Sequence, residues 1–367
     1  MDDRHNPSAA TEERFGPATR AVRAGLPLAQ QGEPLLPGPT FAAPFHLRGP
    51  IEDAGHVYGR GTNPTWARYE EALGALEGGE AVCFASGMAA VTAVLLELRP
   101  GEVLVVPADG YPGVRELARE HLTPRGVDVR VVPTDEHAVR EALAGATLVW
   151  VESPSNPRLD LLDLAALADD VHAAGARLAV DNTLATPLLQ RPLELGADLS
   201  VSSDSKHLSG HSDLVLGHVA CTDPGWAAAL RTWRTRTGSI PGPFEVWLAH
   251  RSLATLGVRL ERGSASAGAL ADLLLERPEV LRVHYPGMGT VLSFELADEP
   301  TAEAFLDGCA LVAQATSFGG VHSSAERRAR WGPADAVGGG FIRFSAGVED
   351  TEDLLADVVG ALDALGG

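Results

Sequence analysis

Between Ala81 and about Asp223, short β-rich runs alternate with amphipathic stretches. This alternation restricts the fold more than any other feature of the 367 residues. The strand candidates are Val103–Val106, Val127–Val132, Leu148–Glu152, Leu178–Asp181, Leu199–Ser202 and His218–Cys221. Helical patterns such as Glu136–Leu143 and Leu164–Ala173 lie between them. Strands joined by helix-length segments pair in parallel. The pattern therefore predicts an α/β fold, with a mainly parallel sheet covered by helices on both faces. Ligands of such sheets sit at the carboxyl ends of the strands.

The flanking segments read differently. Residues 1–57 carry little periodicity and several prolines (Pro27, Pro34, Pro37, Pro39, Pro44), which suits an extended arm lying on another surface. A helical pattern runs from Thr65 to Leu76 and stops at Gly78-Gly79. Residues 224 to about 260 read as mostly helical with a break at Pro241-Gly242-Pro243. The remainder reads as a smaller α+β unit, with a helix near Ala265–Leu275, strands at Val291–Leu296 and Phe341–Ser345, and a last helix from about Thr351 to Leu365. The expected division is an arm at 1–57, a larger domain at 58–256 and a smaller one at 257–367.

Composition removes several classes of function. Asp plus Glu number 49 against 29 Lys plus Arg, a net charge of -20, which repels phosphate backbones and anionic lipid. Neither nucleic acid nor membrane is an expected partner. The longest uncharged hydrophobic stretch, Ala81 to Leu96, is too short for a bilayer span. The polar N-terminus has no signal-peptide core. Cys83, Cys221 and Cys309 are too few and too scattered for a disulfide framework or a zinc site, so no metal is expected. A cytoplasmic protein is the expectation.

Of the 29 basic residues, only Lys206 is a lysine. Arginine serves as well on a surface, but it cannot deprotonate to form a Schiff base. A lone lysine in an arginine-biased chain is therefore a candidate reactive amine. Asn156, Asp181 and Lys206 each close a successive strand candidate, at a constant spacing of 25 residues. That spacing brings all three to one sheet edge. A flat pyridine cofactor fits there, with its amine-reactive carbon at Lys206 and its ring nitrogen at Asp181. A carboxylate facing the ring nitrogen keeps it protonated, which makes the ring an electron sink. Taken alone, Asp181 and Asn156 also suit plain turns. A phosphate site is available at Ala85-Ser86-Gly87-Met88, which opens the helical run Ala89–Leu98. Ser203 and Ser205, on either side of Asp204, could add hydroxyls.

Several motifs carry a resemblance: Tyr58-Gly-Arg-Gly-Thr-Asn-Pro-Thr65, Ser86-Gly-Met-Ala-Ala90, Glu152-Ser-Pro-Ser-Asn-Pro157, Val180-Asp-Asn-Thr183 and Ser203-Asp-Ser-Lys-His-Leu-Ser-Gly-His-Ser-Asp213. They resemble the Cys/Met-metabolism PLP-dependent enzymes, which include cystathionine γ-lyase, cystathionine γ-synthase and methionine γ-lyase. Ser317-Phe-Gly-Gly320 and Ile342-Arg-Phe-Ser-Ala-Gly-Val-Glu349 extend the match over nearly the whole chain. The resemblance implies a type I PLP-dependent transferase fold, pyridoxal 5'-phosphate (PLP) as cofactor, and a homotetramer built from tight dimers. It implies that Lys206 holds the cofactor covalently and moves protons, and that Asp181 pairs with the ring nitrogen. Tyr111 would stack on the ring and share in proton transfer, with Asn156 near the phenolic oxygen. Gly87, Met88, Thr183, Ser203 and Ser205 would line the cofactor site. Tyr58 and Arg60 would join from a neighbouring subunit. Arg343, with Ser317 beside it, would clamp the substrate carboxylate; Asn156 and Tyr58 would also touch substrate.

The implied activity is a carbon–sulfur lyase: γ-elimination from cystathionine, methionine or homocysteine, giving a 2-oxo acid, ammonia and a thiol. The rivals are γ-replacement, an aminotransferase and a cofactor-free binding protein on the same fold. Four departures stand out. Asp204 occupies a position that is usually small and apolar, Pro112 follows Tyr111, and the loop after Tyr285-Pro-Gly287 is short. Val57 and His322 hold positions where relatives acting on cystathionine offer carboxylates to its distal ammonium, a role that Glu326 could take over.

Overall fold

A computed structural model of the chain describes residues 15–366. Seven strands form the larger sheet: β1 (Glu80–Phe84), β2 (Val103–Pro107), β3 (Asp128–Val132), β4 (Leu148–Glu152), β5 (Arg177–Asp181), β6 (Leu199–Ser202) and β7 (Gly217–Cys221). Their order across the sheet is β1-β7-β6-β5-β4-β2-β3. Strands β2 to β6 pair in parallel, while β7 runs antiparallel to both β6 and β1. Alternate side chains feed opposite cores. Leu104 and Trp150 pack with Val91, Val94 and Leu95 of the Gly87–Leu95 helix on one face. Val105, Val149, Val151 and Val180 pack with Leu164, Leu167 and Val171 on the other. Burial on both faces explains why these strands read as continuous apolar runs.

Strand β1 is hidden within the apolar run Ala81–Leu96. The run divides where Ser86, in extended conformation, accepts a hydrogen bond from Ala89 N at 3.0 Å and caps the helix. The helix thus starts at Gly87, two residues before its expected Ala89, and ends at Leu95. The Pro64–Glu77 helix obeys its local signals: Asn63 caps it, Pro64 occupies the first turn, and Gly78 ends it at φ 85.

The smaller sheet holds β8 (Arg282–His284), β9 (Val291–Glu295), β10 (Ala313–Gln314), β11 (Ser324–Arg327) and β12 (Phe341–Ser345), in the order β10-β11-β12-β9-β8. Its core joins Leu292, Phe294, Ile342 and Phe344 to Leu270, Leu274, Phe305, Leu354 and Val358. The helix expected near Ala265–Leu275 in fact spans Leu256–Leu275. Gly263 lies within it and permits close packing: a Cβ there would lie 2.8 Å from Thr290 Cγ2 and 3.2 Å from Ala346 O.

Within the arm, a Pro17–Arg23 helix was not expected from the sequence. The rest of its described part is mostly irregular, with a 3-10 turn at Ile51–Asp53, and is tied down by hydrogen bonds such as Trp247 Nε1 to Pro37 O at 3.0 Å and Asn63 Nδ2 to Thr40 O at 2.9 Å. Leu35, Phe41 and Ile51 stay exposed. Residues 1–14 of the expected arm lie outside the described residues.

Candidate active site

Strands β4, β5 and β6 lie side by side, with Glu152, Asp181 and Val201 in register. The residue level with Asp181 is therefore Glu152, not Asn156. The constant 25-residue spacing is not a strand register: Asn156 and Lys206 each lie four residues past their strand ends, whereas Asp181 is the last residue of its own. The three nonetheless meet, because both loops fold back over the sheet edge. Asn156, Asp181, Lys206, Gly87, Met88, Tyr111, Glu152, Thr183, Ser203 and Phe318 line one cleft.

One wall of this cleft is the N-terminus of the Gly87–Leu95 helix, whose first N–H groups have no acceptor within the helix. A Cβ at Gly87 would sit 2.7 Å from Ser203 Cβ. Only glycine lets the helix end and the Ser203–Lys206 turn come together there. On the floor, Thr183 donates to Asp181 Oδ1 through N–H (3.0 Å) and through Oγ1 (2.6 Å), and Thr183 Oγ1 accepts from Ser203 N at 2.9 Å. Among the described residues no donor is paired with Asp181 Oδ2. Burial raises the Asp181 carboxyl, against the pull of Thr183.

Glu152 is a site residue that the sequence motif contained but that had no assigned role. It is buried, and Oε2 accepts from Tyr111 N at 2.7 Å, which fixes the backbone of the half-exposed Tyr111 at the cleft mouth. Burial first, then Asp181, push its carboxyl well above the usual carboxylate range. Its register with Asp181 would have revealed it once the β4–β5 pairing was assumed.

Lys206 Nζ donates to Ser317 Oγ at 2.6 Å and lies 5.4 Å from the centre of the Phe318 ring. Burial, assisted by Arg343 and opposed by Glu326, lowers this amine to about 8. A substantial uncharged fraction thus exists near neutral pH, as a nucleophile or general base requires. Ser317 holds φ 85, an unfavourable conformation for a residue with a Cβ. Its carbonyl accepts from Arg343 Nη2 at 3.1 Å. Arg343 Nη1 donates to Asn156 Oδ1 at 2.7 Å, and Nη2 also pairs with Glu326. Glu326 in turn holds Arg328 Nη1 at 2.7 Å and Trp331 Nε1 at 2.9 Å. This carboxylate already holds two arginines, an indole and the Thr316 hydroxyl (3.2 Å), which leaves it little capacity for a distal ammonium.

Three expected contributors lie elsewhere. The Ser205 hydroxyl donates to Leu216 O at 3.2 Å and accepts from Leu216 N at 3.0 Å, so it is turned from the cleft by the β-like pairing of its loop. Tyr58 and Arg60 do not line the cleft of their own chain. Tyr58 is half exposed, and Arg60 Nη1 donates to Thr235 O at 3.1 Å. Asp204 points into the protein, towards Tyr69 and His218.

The family model of the Cys/Met metabolism PLP-dependent enzymes matches residues 28–363. The chain belongs to that family. A Streptomyces coelicolor relative, provisionally named a cystathionine γ-lyase, is 51% identical over 95% of this chain and 94% of its own length. Escherichia coli cystathionine γ-synthase is 38% identical over 93% of this chain and 96% of its own. The solved structure of CalE6 from Micromonospora echinospora, a cystathionine γ-lyase, superposes with a TM-score of 0.90 at 35% identity, covering 95% of this chain and 99% of that one. Membership brings PLP as the cofactor, and the residues fit it. The glycine cradle beside Ser203 gives an anion access to backbone N–H groups. The free oxygen of buried Asp181 suits a protonated ring nitrogen, and the amine of Lys206 suits the aldehyde. No helix among the described residues is long and apolar enough to cross a membrane.

Proposed function

We propose that this enzyme cleaves the γ-carbon–sulfur bond of a sulfur amino acid, releasing a 2-oxo acid, ammonia and a thiol. What supports this reading is the Lys206 amine, lowered to about 8, bonded to Ser317 Oγ and sharing a cleft with Asp181, with Arg343 on the Ser317 carbonyl. PLP bound there supplies an electron sink for charge developing at the substrate α-carbon. Lys206 takes the α-proton and returns protons along the substrate chain. Asp181 keeps the ring nitrogen protonated. Arg343, steered by Asn156 and the Ser317 carbonyl, binds the α-carboxylate. Gly87, Met88 and Ser203 would hold the phosphate, Thr183 holds the Asp181 carboxylate in place, and Tyr111 would cover the ring. Tyr58 and Arg60 complete the site of a neighbouring copy, so the working form is at least a dimer, and the family resemblance implies a dimer of dimers.

Beyond the sulfur, this chain offers no carboxylate at Val57 or at the exposed His322, and Glu326 is occupied. The pocket therefore suits apolar thiol groups as well as cystathionine. Purified enzyme incubated with cystathionine, methionine, homocysteine, or an acylated homoserine plus cysteine tests this reading. Oxo acid and thiol should form from methionine or homocysteine at rates within about tenfold of those from cystathionine, a gap of ~1.4 kcal/mol. Dominant turnover of the acylated homoserine with cysteine would instead mark a γ-replacement enzyme.

A further inference from the structure

Behind the cleft lies a polar chain that the reaction does not use directly. Tyr69, Glu77, Asp204 and His218 are all completely buried. Asp204 Oδ2 accepts from the Tyr69 hydroxyl at 2.9 Å, and Asp204 Oδ1 lies 2.6 Å from His218 Nδ1. His218 Nε2 lies 3.2 Å from Glu77 Oε1. With a carboxylate at each ring nitrogen, the geometry suits an imidazolium donating from both.

The placement of these groups ties three elements together. Tyr69 and Glu77 are eight residues apart on the Pro64–Glu77 helix, so they share one face. His218 is on β7, directly across from Ser202 of β6 and Cys83 of β1. Asp204 lies between Ser203 and Lys206, whose side chains line the cleft. The turn is itself closed by hydrogen bonds from Lys206 N to Ser203 O (3.1 Å), Ser209 N to Asp204 O (3.0 Å) and Gly210 N to Lys206 O (2.7 Å). Any movement of Asp204 must therefore carry Ser203 and Lys206 with it. Two carboxylates and an imidazole buried together do little for stability, since well-packed apolar replacements often match or exceed such groups. What a directional network adds is position.

We propose that Tyr69, Glu77, Asp204 and His218 are positioning residues, a buried spine that fixes the Ser203–Lys206 turn against the sheet and so sets where the Lys206 amine and the Ser203 hydroxyl meet the cofactor. This inference rests on the assignment of Lys206 as the cofactor lysine. A sub-ångström error at such a turn is costly, because reacting groups misplaced by 1 Å can lose about a hundredfold in rate.

Two variants test the spine. Asp204→Asn removes one charge at constant size. The combined variant Tyr69→Phe/Glu77→Leu/Asp204→Ala/His218→Leu removes the network while restoring apolar packing. The readouts are the PLP dissociation constant, the pH midpoint of the bound cofactor's visible band, and the melting temperature of the cofactor-free protein. The combined variant should melt within a few degrees of wild type. It should nevertheless bind PLP about tenfold more weakly and show a displaced midpoint, and Asp204→Asn should move both readouts in the same direction. A combined variant with wild-type PLP affinity and midpoint would overturn the spine alone. A wild-type protein that takes up no PLP at Lys206 would overturn the cofactor-lysine assignment and the spine with it.

Discussion

Lys206 and Ser317, 111 residues apart in sequence, are joined by a 2.6 Å hydrogen bond from Nζ to Oγ across the two sheets. The folded protein holds this amine near 8 instead of its ordinary 10.5, mainly by burial. Capture of PLP by the cofactor-free enzyme should therefore accelerate as pH rises through about 8. Ser317→Ala removes an acceptor that favours the charged amine. It should move the midpoint down by about one unit, because a hydrogen bond to a charged group contributes about 1.5 kcal/mol. A midpoint near 10.5 in wild type would show that the amine is not buried as described.

Arg343→Ala should leave PLP bound while lowering kcat/KM by about 2–5 kcal/mol, the cost of losing a buried charged partner. Steady-state kinetics alongside a cofactor titration separate the two effects. Loss of PLP with substrate affinity retained would mean that Arg343 serves a different anion.

Arg60, just past the arm, donates to Thr235 O and does not line its own cleft. Mixed oligomers of Arg60→Ala and Lys206→Ala subunits should regain part of the activity that each parent lacks, since one hybrid site then holds both groups. Verified heterodimers without any recovery would place Arg60 outside the site.

His322→Glu should raise the preference for cystathionine over methionine by about tenfold, by giving the distal ammonium a charged partner. Comparing kcat/KM for the two substrates in both proteins reads this directly. If wild type already favours cystathionine more than a hundredfold, the enzyme is a plain cystathionine γ-lyase.

The His218 ring is raised to about 10, because Asp204 and then Glu77 outweigh its burial. Tyr69 and Cys83 also face this group, and both hold their protons more tightly than usual because they are buried. The unfolded chain releases the imidazolium proton near 6.5, so the contribution of His218 to stability is complete below that pH. It declines as pH rises towards about 10. Denaturant unfolding of the cofactor-free protein should show this fall, and His218→Gln should flatten it.

Much of the larger sheet is legible because its central strands are bounded by turn residues and almost wholly buried, whereas the edge strand β3 is only partly buried. Leu148–Glu152 and Leu199–Ser202 match their expected limits, as does the Leu164–Ala173 helix. Strand β1 is not expected because its four apolar residues, Ala81–Phe84, merge with the apolar helix that opens at Ser86-Gly87. Strands β8 and β10 have only 3 and 2 residues, too few for a period to show, and β11 carries a single apolar residue, Ala325. At the site, the lone lysine and its equally spaced partners come together in one cleft. The direction of Ser205 and Asp204 could not be read in the same way: consecutive residues of a tight turn point apart, and only the long-range partners Leu216, Tyr69 and His218 decide where.

Ser317 serves two masters. Its hydroxyl takes the Lys206 amine and its carbonyl takes the Arg343 guanidinium, from a backbone conformation that most side chains resist. Alanine there would forfeit the hydroxyl, glycine would free the hinge, and a branched residue would strain it. Anyone redirecting this enzyme to another thiol by directed evolution should therefore find position 317 nearly immovable, with the freedom to change lying at residues such as Val57 and His322, which carry no such double duty.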